Sequence, residues 1–277
     1  MNINTQFLCG RFQLDLTRPQ VMGIVNVTPD SFSDGGKYSS VNLAVEHALK
    51  LIAEGADILD IGGESTRPGA EPVSLEEELR RVVPVIEALS KVTTVPLSID
   101  TYKPEVMRAA IVAGADIVND ICALREDGAL EIVAASNAGV CLMHMQGVPQ
   151  TMQLNPQYED VVAEVKQFLA DRVEACLAHG IASERITLDP GFGFGKTTAH
   201  NVALIQHLDR FAELGFPLLV GLSRKSVLGR IAGGDEQQRL HAGLAASVIS
   251  VMKGAKIVRV HDVKATVDAL KVVAAVM

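Results

Sequence analysis

One short phrase recurs along the chain and limits the folds it can adopt. It reads EGADILDIGG at 54–63, AGADIVNDI at 113–121 and KGAKIVRVHD at 253–262, with a looser copy, NAGVCLMHM, at 137–145. In each copy a glycine follows a helical pattern and precedes a short apolar run that ends in polar residues. Glycine at that place stops a helix in the left-handed conformation, and an apolar run without strict alternation indicates a strand buried on both faces.

Apolar runs of this kind occur eight times along the chain, with helical patterns between them. They are 21–27, 57–62, 95–100, 116–120, 140–145, 186–191, 217–223 and 256–261. Ser74 and Glu77 have the spacing of a capping box, and Pro104 suits the first turn of the next helix. Eight units predict a (β/α)8 TIM barrel that forms one domain over residues 1–277, whereas an open doubly wound sheet would usually need fewer units. We expect the residues before 21 to form a hairpin that plugs the bottom of the barrel.

Composition and charge exclude several classes of function. The chain is 48% hydrophobic and 21% charged, with a net charge of −8, which argues against binding to nucleic acid or to an anionic membrane. No apolar run is long enough to span a membrane, and the first residues lack the order of a signal peptide. Cysteines stand far apart, without a C-x-x-C pair, at Cys9, Cys122, Cys141 and Cys176. We therefore expect a cytoplasmic protein with reduced thiols and no zinc site.

The stretch DPGFGFGKTT, 189–198, ends like a phosphate-binding loop. In the pattern G-x-x-x-x-G-K-[ST], however, Pro190 takes the place of the first glycine, and proline has no N–H to offer a phosphate. We interpret the stretch as a glycine-rich turn after the sixth strand. Lys196 and Thr197 are then expected to be solvated or to cap the next helix.

Polar residues follow nearly every predicted strand. In a barrel of this kind the carboxyl ends of the strands meet at one face, where the active site lies. The residues at these ends are Asn26, Glu64, Ser65, Thr66, Arg67, Asp100, Asn119, Asp120, His144, Asp189, Ser223, Arg224, Lys225, Arg259 and His261. Because the acids and amides come mostly from strands three, four and six, and the cations from strands two, seven and eight, the ring predicts two subsites.

The two subsites suit different chemical groups. Asp100, Asn119 and Asp189 suit a flat heterocycle with several N–H donors, since a carboxylate accepts two such bonds side by side. The phosphate or pyrophosphate subsite would be formed by Thr66, Arg67, Arg259 and His261. Asn26 would help hold a magnesium ion that carries the same group.

Simpler roles exist for several of these residues. Asp100 or Asp189 alone would serve equally well as a helix cap. Three such groups on neighbouring strands favour recognition of a ligand. His144 lies within an apolar run, which favours a packing role over a catalytic one.

Two long loops follow the first two strands. They read NVTPDSFSDGGKYSS at 26–40 and GGESTRPGAEPVS at 62–74, against the 2–6 residues usual for such a connection. We interpret them as a lid that carries Phe32, Asp34, Arg67 and Pro68. The helix around 239–255 is apolar nearly all round, which predicts that a second subunit covers part of it.

These motifs closely resemble those of the dihydropteroate synthases, the pterin-binding enzymes that sulfonamides inhibit. The matching stretches are MGIVNVTPDSFSDGG, GGESTRPGA, SIDTYKPEV, VNDI, LMHMQG, LDPGFGFGK, SRKS and RVHDV, in family order between residues 22 and 263. The resemblance implies a homodimeric (β/α)8 transferase of folate biosynthesis. It implies condensation of 6-hydroxymethyl-7,8-dihydropterin diphosphate with 4-aminobenzoate, giving 7,8-dihydropteroate and pyrophosphate with the help of Mg²⁺.

The resemblance also implies a role for each matching position. The positions that match pterin contacts are Asp100, Asn119, Asp189 and Lys225, with Met143 and Phe194 packing near the ring. The pyrophosphate and magnesium site corresponds to Asn26, Thr66, Arg67, Arg259 and His261. The aminobenzoate site corresponds to Phe32, Pro68, Ser223 and Lys225, and Asp34 matches the lid acid. Tyr102 and Cys122 depart from the usual residues, and we attach no function to either.

The implied chemistry is an SN1-like departure of pyrophosphate, because an electron-rich dihydropterin stabilises a cation on the adjoining carbon. The residues expected to take part are Asp34, Lys225, Arg259 and His261, beside Mg²⁺ and Arg67. A pterin-dependent methyltransferase would share the Asp–Asn–Asp ring without needing the lid or the Arg259–His261 pair. A binding protein on this fold would be expected to lose some cations, and a nucleotide hydrolase would need to bind ATP.

Overall fold

Eight parallel strands close into a barrel in the computed structural model, which describes residues 5–27, 37–65, 69–233 and 239–276. A two-stranded hairpin precedes the barrel, formed by β1 (Gln6–Cys9) and β2 (Phe12–Asp15). The barrel strands are β3 (Gln20–Asn26), β4 (Ile58–Gly62), β5 (Leu97–Asp100), β6 (Ile117–Asp120), β7 (Gly139–Met143), β8 (Ile186–Asp189), β9 (Leu218–Val220) and β10 (Ala255–Val260). Each pairs with the next, and β10 closes onto β3, so the predicted (β/α)8 TIM barrel is confirmed.

Helices lie between the strands along the chain. They are α1 (Lys37–Ala53), α2 (Leu75–Leu89), α3 (Pro104–Ala113), α4 (Ala129–Ala134), α5 (Val161–Ala178), α6 (Thr198–Gln206), α7 (Asp209–Ala212), α8 (Ser226–Ala232), α9 (Leu240–Met252) and α10 (Val263–Val276), with a 3₁₀ turn at Ser183–Arg185. Ser74 caps α2 by accepting from the backbone N–H of Glu77 at 3.2 Å, which is half of the predicted capping box, whereas the Glu77 side chain binds Arg80 and Arg81. Pro104 opens α3, as predicted. Among the described residues, none of the helices combines the length and apolar character that a membrane span requires.

The glycines of the repeated phrase have two different roles. Gly55, Gly114 and Gly254 have φ of 103°, 114° and 102°, so they stop helices in the left-handed conformation, as expected. The same expectation is wrong for Gly139, which begins β7 without a positive φ. A Cβ at Gly139 would lie 2.6 Å from Cζ of Phe7, so close packing requires the glycine there.

The hairpin plugs the amino-terminal end of the barrel, as predicted. Phe7, Cys9 and Leu16 are buried there against barrel residues that include Ile58 and Leu219. At its tip, Arg11 forms an ion pair with Asp116 at 2.9 Å. This end of the barrel is closed by packing, which leaves the carboxyl ends of the strands for chemistry.

Candidate active site

The predicted ring-binding residues lie side by side at the carboxyl ends of the strands. Asp100 is the last residue of β5 and pairs in register with Asn119 of β6. Met143 is the last residue of β7 and pairs with Asp189, the last residue of β8. The structure therefore brings together these four positions because parallel strands end at one edge.

Arg259 crosses the mouth of the barrel and binds two carboxylates. Its Nη2 donates to Oδ2 of Asp100 at 2.5 Å, and its Nε donates to Oδ2 of Asp60 at 2.5 Å. The same Asp60 oxygen accepts from Nδ2 of Asn119 at 3.1 Å. Asp60 was missed by the sequence reasoning, which considered only residues at strand ends. A charged residue inside the apolar run at 57–62 is the signal that would have identified it.

Burial and charge shift the pKa values of this network. Burial raises the pKa of Asp100 to about 7, against the lowering effect of Arg259, and the neighbouring charge of Asp60 adds to the rise. Burial alone would lower the pKa of Arg259, but Asp60 and Asp100 together raise it. Arg259 therefore stays a cation, and burial holds the pKa of Asp100 above its usual range.

Lys225 lies between the turn after β8 and the barrel mouth. Its ammonium donates to the carbonyl of Phe192 and lies 4.7 Å from the centroid of the Phe194 ring. Burial lowers the pKa of Lys225 to about 8, partly offset by the charge of Asp189. Burial likewise raises the pKa of Asp189, whose Oδ1 accepts from the backbone N–H of Gly191 at 2.7 Å.

Lys196 is buried, so the expectation that it is solvated is wrong. Only 1% of it is exposed, and its Nζ donates to the carbonyls of Gly191 at 2.9 Å and Phe194 at 3.0 Å. It also lies 2.9 Å from Nδ1 of His144, the residue expected to pack. The turn wraps its carbonyls around the ammonium because Gly191, at φ 71°, passes so close to His144 that a Cβ would overlap the His144 carbonyl. Thr197 caps α6, as expected.

Ser223 and His261 meet at the far side of the mouth. Ser223 Oγ accepts from the backbone N–H of His261 at 3.2 Å and lies 3.2 Å from its Nδ1. Between Ser223 and Lys225, Arg224 has a φ of 58°, and its guanidinium binds Asp262 at 2.6 and 3.1 Å. This anchored left-handed residue fixes the loop that carries Ser223 and Lys225, two of the four predicted aminobenzoate contacts.

An apolar wall completes the ring subsite. Met143 belongs to a buried cluster against which Phe194 and Tyr102 pack, and Cys122 is part of the same cluster. The two predicted ring-packing residues are therefore brought together. Tyr102 also donates from its hydroxyl to Oε1 of Glu64 at 3.2 Å, which ties the wall to the end of the second barrel strand.

Asn26 is the last residue of β3 and pairs in register with Gly62. Among residues 5–27, 37–65, 69–233 and 239–276, no group of three or more His, Cys, Asp or Glu is arranged to hold a metal ion. Five predicted site residues lie outside the described ones: Phe32, Asp34, Thr66, Arg67 and Pro68.

Comparison with known proteins identifies the family. The model of the pterin binding enzyme family matches residues 22–261. A dihydropteroate synthase of Neisseria meningitidis serogroup C is 55% identical over 267 residues, which cover 95% of this chain and 94% of the relative. The structure of Xanthomonas albilineans dihydropteroate synthase with 4-aminobenzoic acid superposes with a TM-score of 0.93 at 56% identity, covering 98% of both chains.

A second structure of the Xanthomonas albilineans enzyme, in complex with 7,8-dihydropteroate, has a TM-score of 0.88 at 50% identity and covers 99% of this chain and 98% of that one. These matches extend over the barrel and over every motif that forms the site described above. The chain therefore belongs to the dihydropteroate synthases, the transferases of the pterin binding enzyme family.

Proposed function

We propose that this enzyme condenses 6-hydroxymethyl-7,8-dihydropterin diphosphate with 4-aminobenzoate to give 7,8-dihydropteroate and pyrophosphate in folate biosynthesis. The observation that carries the proposal is that Asp100, Asn119 and Asp189 lie at the carboxyl ends of β5, β6 and β8, beside the wall of Met143 and Phe194. Relatives of high identity have been solved with 4-aminobenzoic acid and with 7,8-dihydropteroate.

Recognition of the pterin follows from the donors and acceptors in this pocket. Asp189 already accepts from Gly191 and offers further acceptor capacity to the amino group and ring N–H of an aminopyrimidinone. Lys225 supplies a cation for the ring carbonyl. Met143 and Phe194 provide apolar surface for the faces of the ring, because a flat heterocycle buries its faces against such side chains.

The diphosphate is expected at the cationic side of the mouth. Arg259 lies near the end of β10 and His261 directly after it, separated by Val260, and the sequence adds Thr66 and Arg67 from the loop after β4. Asn26 offers one amide oxygen, which fits a Mg²⁺ ion that keeps its waters and is held mainly by the diphosphate. Such an ion, when bound, would neutralise charge on the leaving pyrophosphate.

The residues of the chain would then assist an SN1-like substitution. Arg259 and His261 stabilise the charge that develops on the leaving oxygen, and the ring delocalises the positive charge left on the CH2 carbon. Asp34 is proposed to stabilise that cation. Ser223 and Lys225 hold 4-aminobenzoate, whose uncharged nitrogen attacks and needs no general base.

Two measurements test this proposal. The enzyme, supplied with both substrates and Mg²⁺, should release dihydropteroate and pyrophosphate in equal amounts, and neither product should form without the enzyme. The second measurement uses pterin diphosphate labelled with ¹⁸O in the oxygen between the CH2 carbon and phosphorus. If this bond breaks and re-forms without 4-aminobenzoate, as an SN1-like path allows, the label should appear in non-bridging oxygens of the same phosphate. Absence of product, or methyl transfer from a methylated pterin donor, would overturn the proposed reaction. Retention of the label during many turnover times would indicate direct displacement.

We also propose a cytoplasmic homodimer. All four cysteines are buried and free, in keeping with a reducing compartment. On α9, Ile249 and Met252 lie on a stripe that is exposed in the single chain, and Ile231 of α8 is also exposed. Because α9 is apolar nearly all round and leaves these side chains exposed, we expect this face to be covered by the second subunit. Sedimentation should give twice the chain mass at micromolar concentration, and Ile249→Glu should shift it toward the monomer.

A further inference from the structure

Asp60 has an environment that none of the roles above explains. It lies in the middle of β4 and is fully buried. Its bonds go to Arg259 on β10 and Asn119 on β6, which are not neighbours of β4, so they cross the interior of the barrel. Its second oxygen, Oδ1, is buried and has no hydrogen-bond partner within the described part of the chain.

We propose that Asp60 is a positioning residue, which fixes the amide of Asn119 and the guanidinium of Arg259. The amide is thereby oriented toward the pterin ring and the guanidinium toward the diphosphate of the same substrate. This inference rests on the proposed function and deepens it. It assigns a role in substrate selection to a residue beneath the predicted binding ring.

The amide of Asn119 illustrates the first half of this role. A terminal amide can turn by half a rotation and exchange its oxygen with its nitrogen. An ionised carboxylate only accepts hydrogen bonds, so Asp60 selects the orientation in which Nδ2 of Asn119 faces it. The amide oxygen is then held away from Asp60, available to accept a ring N–H from the substrate.

The guanidinium of Arg259 illustrates the second half. A planar guanidinium with one carboxylate can still turn about that contact, whereas two carboxylates on different strands fix its plane. Asp60 holds Nε and Asp100 holds Nη2. The cation that faces the diphosphate therefore has its direction set before the substrate arrives.

The charge of Asp60 affects the pKa of Asp100, an effect that a purely structural role of Asp60 would not predict. The charged groups that face Asp100 are Arg259 on β10, Asp60 on β4, Glu78 on α2, Asp120 on β6 and Lys225 after β9. Arg259 lowers the pKa of Asp100, and the three acids raise it. Replacing Asp60 by a neutral residue of the same size should therefore lower the pKa of Asp100.

The test is Asp60→Asn, assayed with 6-hydroxymethyl-7,8-dihydropterin diphosphate and with 4-aminobenzoate, each varied at saturation of the other. Loss of charge-assisted hydrogen bonds should raise the KM for the pterin substrate by about 10- to 100-fold. The KM for 4-aminobenzoate should stay within about twofold, because no contact of Asp60 reaches Ser223. The acidic limb of the pH profile should move to lower pH. Asp60→Asn keeps an oxygen that can accept from Asn119, so Asp60→Ala, which keeps none, should raise the pterin KM by more.

Asp116→Asn is the matched control. Asp116 is also a buried carboxylate paired with an arginine, Arg11, but it lies at the plugged end of the barrel. Its variant should lose stability while keeping both KM values and the pH profile.

Wild-type KM values and an unmoved profile in a folded Asp60→Asn enzyme would overturn the inference and leave the proposed reaction intact. If the variants do not fold, a structure of the wild type with the pterin substrate decides, since loss of the Asp60–Asn119 bond there would also overturn it. Inactivity of the wild type would instead contradict the proposed function.

Discussion

Nζ of Lys196 lies 2.9 Å from Nδ1 of His144 in the interior of the turn after β8. The imidazole packs edge-on against Phe168, with ring centroids 4.9 Å apart. Burial, with a smaller contribution from the charge of the nearby Lys196, lowers the pKa of His144 to about 2. The folded protein therefore holds this histidine neutral under conditions in which an unfolded chain would protonate it.

We expect His144 to weaken the fold as the pH falls. Because its folded pKa lies below the unfolded value of 6.5, the unfolded state binds the extra proton, and stability is lost below pH 6.5. The loss amounts to at most about 1.4 kcal/mol per pH unit. Urea unfolding of wild type and His144→Gln at pH 7, 6 and 5 should show the wild type losing its advantage, by roughly half that slope between pH 7 and 6 and by most of it between pH 6 and 5. Parallel pH dependences for the two proteins would contradict this.

Substrate turnover should have a narrow pH optimum. Asp100 accepts an N–H only when ionised, so kcat/KM for the pterin substrate should rise as the pH passes about 7. Lys225 binds the ring carbonyl as a cation only when protonated, so the same quantity should fall as the pH passes about 8. A profile measured from acid to alkaline pH should therefore be bell-shaped.

Lys225→Arg supplies the control for the alkaline limb. Arginine stays charged far above pH 8, so the variant should lose activity through altered geometry but no longer decline between pH 8 and 9.5. If the decline persisted unchanged in the variant, another group would be responsible for it.

Asp189→Asn should impair binding of the pterin although the two side chains have nearly the same size. The amide oxygen can replace Oδ1 in accepting from Gly191, but the new NH2 group then faces the N–H donors of the ligand. Loss of a charge-assisted bond predicts an affinity for the dihydropterin that is about 10- to 100-fold weaker. Calorimetry with 6-hydroxymethyl-7,8-dihydropterin measures this affinity directly. If Asp189→Asn bound the dihydropterin as tightly as the wild type, Asp189 would not be a hydrogen-bond partner of the ring.

The strand ends could be predicted from the sequence, whereas contacts across the barrel could not. Asp100 and Asp189 were placed at the mouth because a buried run ends at each, and parallel strands in a closed barrel end together. A charge inside the apolar run at 57–62 marks Asp60 as unusual, but its partner Arg259 is 199 positions away, so the sequence does not show which residue it binds across the interior.

Lys196 was misjudged for a related reason. The local sequence Gly-Lys-Thr indicates a charged residue in a polar loop, and lysine is rarely buried. Its burial depends on the path of the backbone at Gly191 and on the carbonyls that this path directs inward. Chain path in a glycine-rich turn is set by tertiary contacts, here with His144, and not by residue type alone.

The contact between Phe7 and Gly139 gives a prediction that separates stability from function. Gly139 has no positive φ, so alanine there is free of backbone strain, but its Cβ would lie 2.6 Å from Cζ of Phe7 and 2.9 Å from Cβ of Cys9. Such overpacking should destabilise Gly139→Ala by about 1–3 kcal/mol. Because the contact lies at the plugged end, kcat/KM of the folded fraction should match the wild type.

Phe7→Ala provides the second arm of a double-mutant cycle. Alone it should cost about 3–5 kcal/mol, because a large buried ring is removed from the hairpin plug. In its background, Gly139→Ala should cost less by about 1 kcal/mol or more, since the ring that the new methyl would meet is gone and only the approach to Cys9 remains. Denaturant unfolding of the four proteins measures this coupling. Additive costs would mean that the hairpin does not pack on β7 as described, and a loss of kcat/KM in Gly139→Ala would mean that the plugged end influences the chemistry at the other.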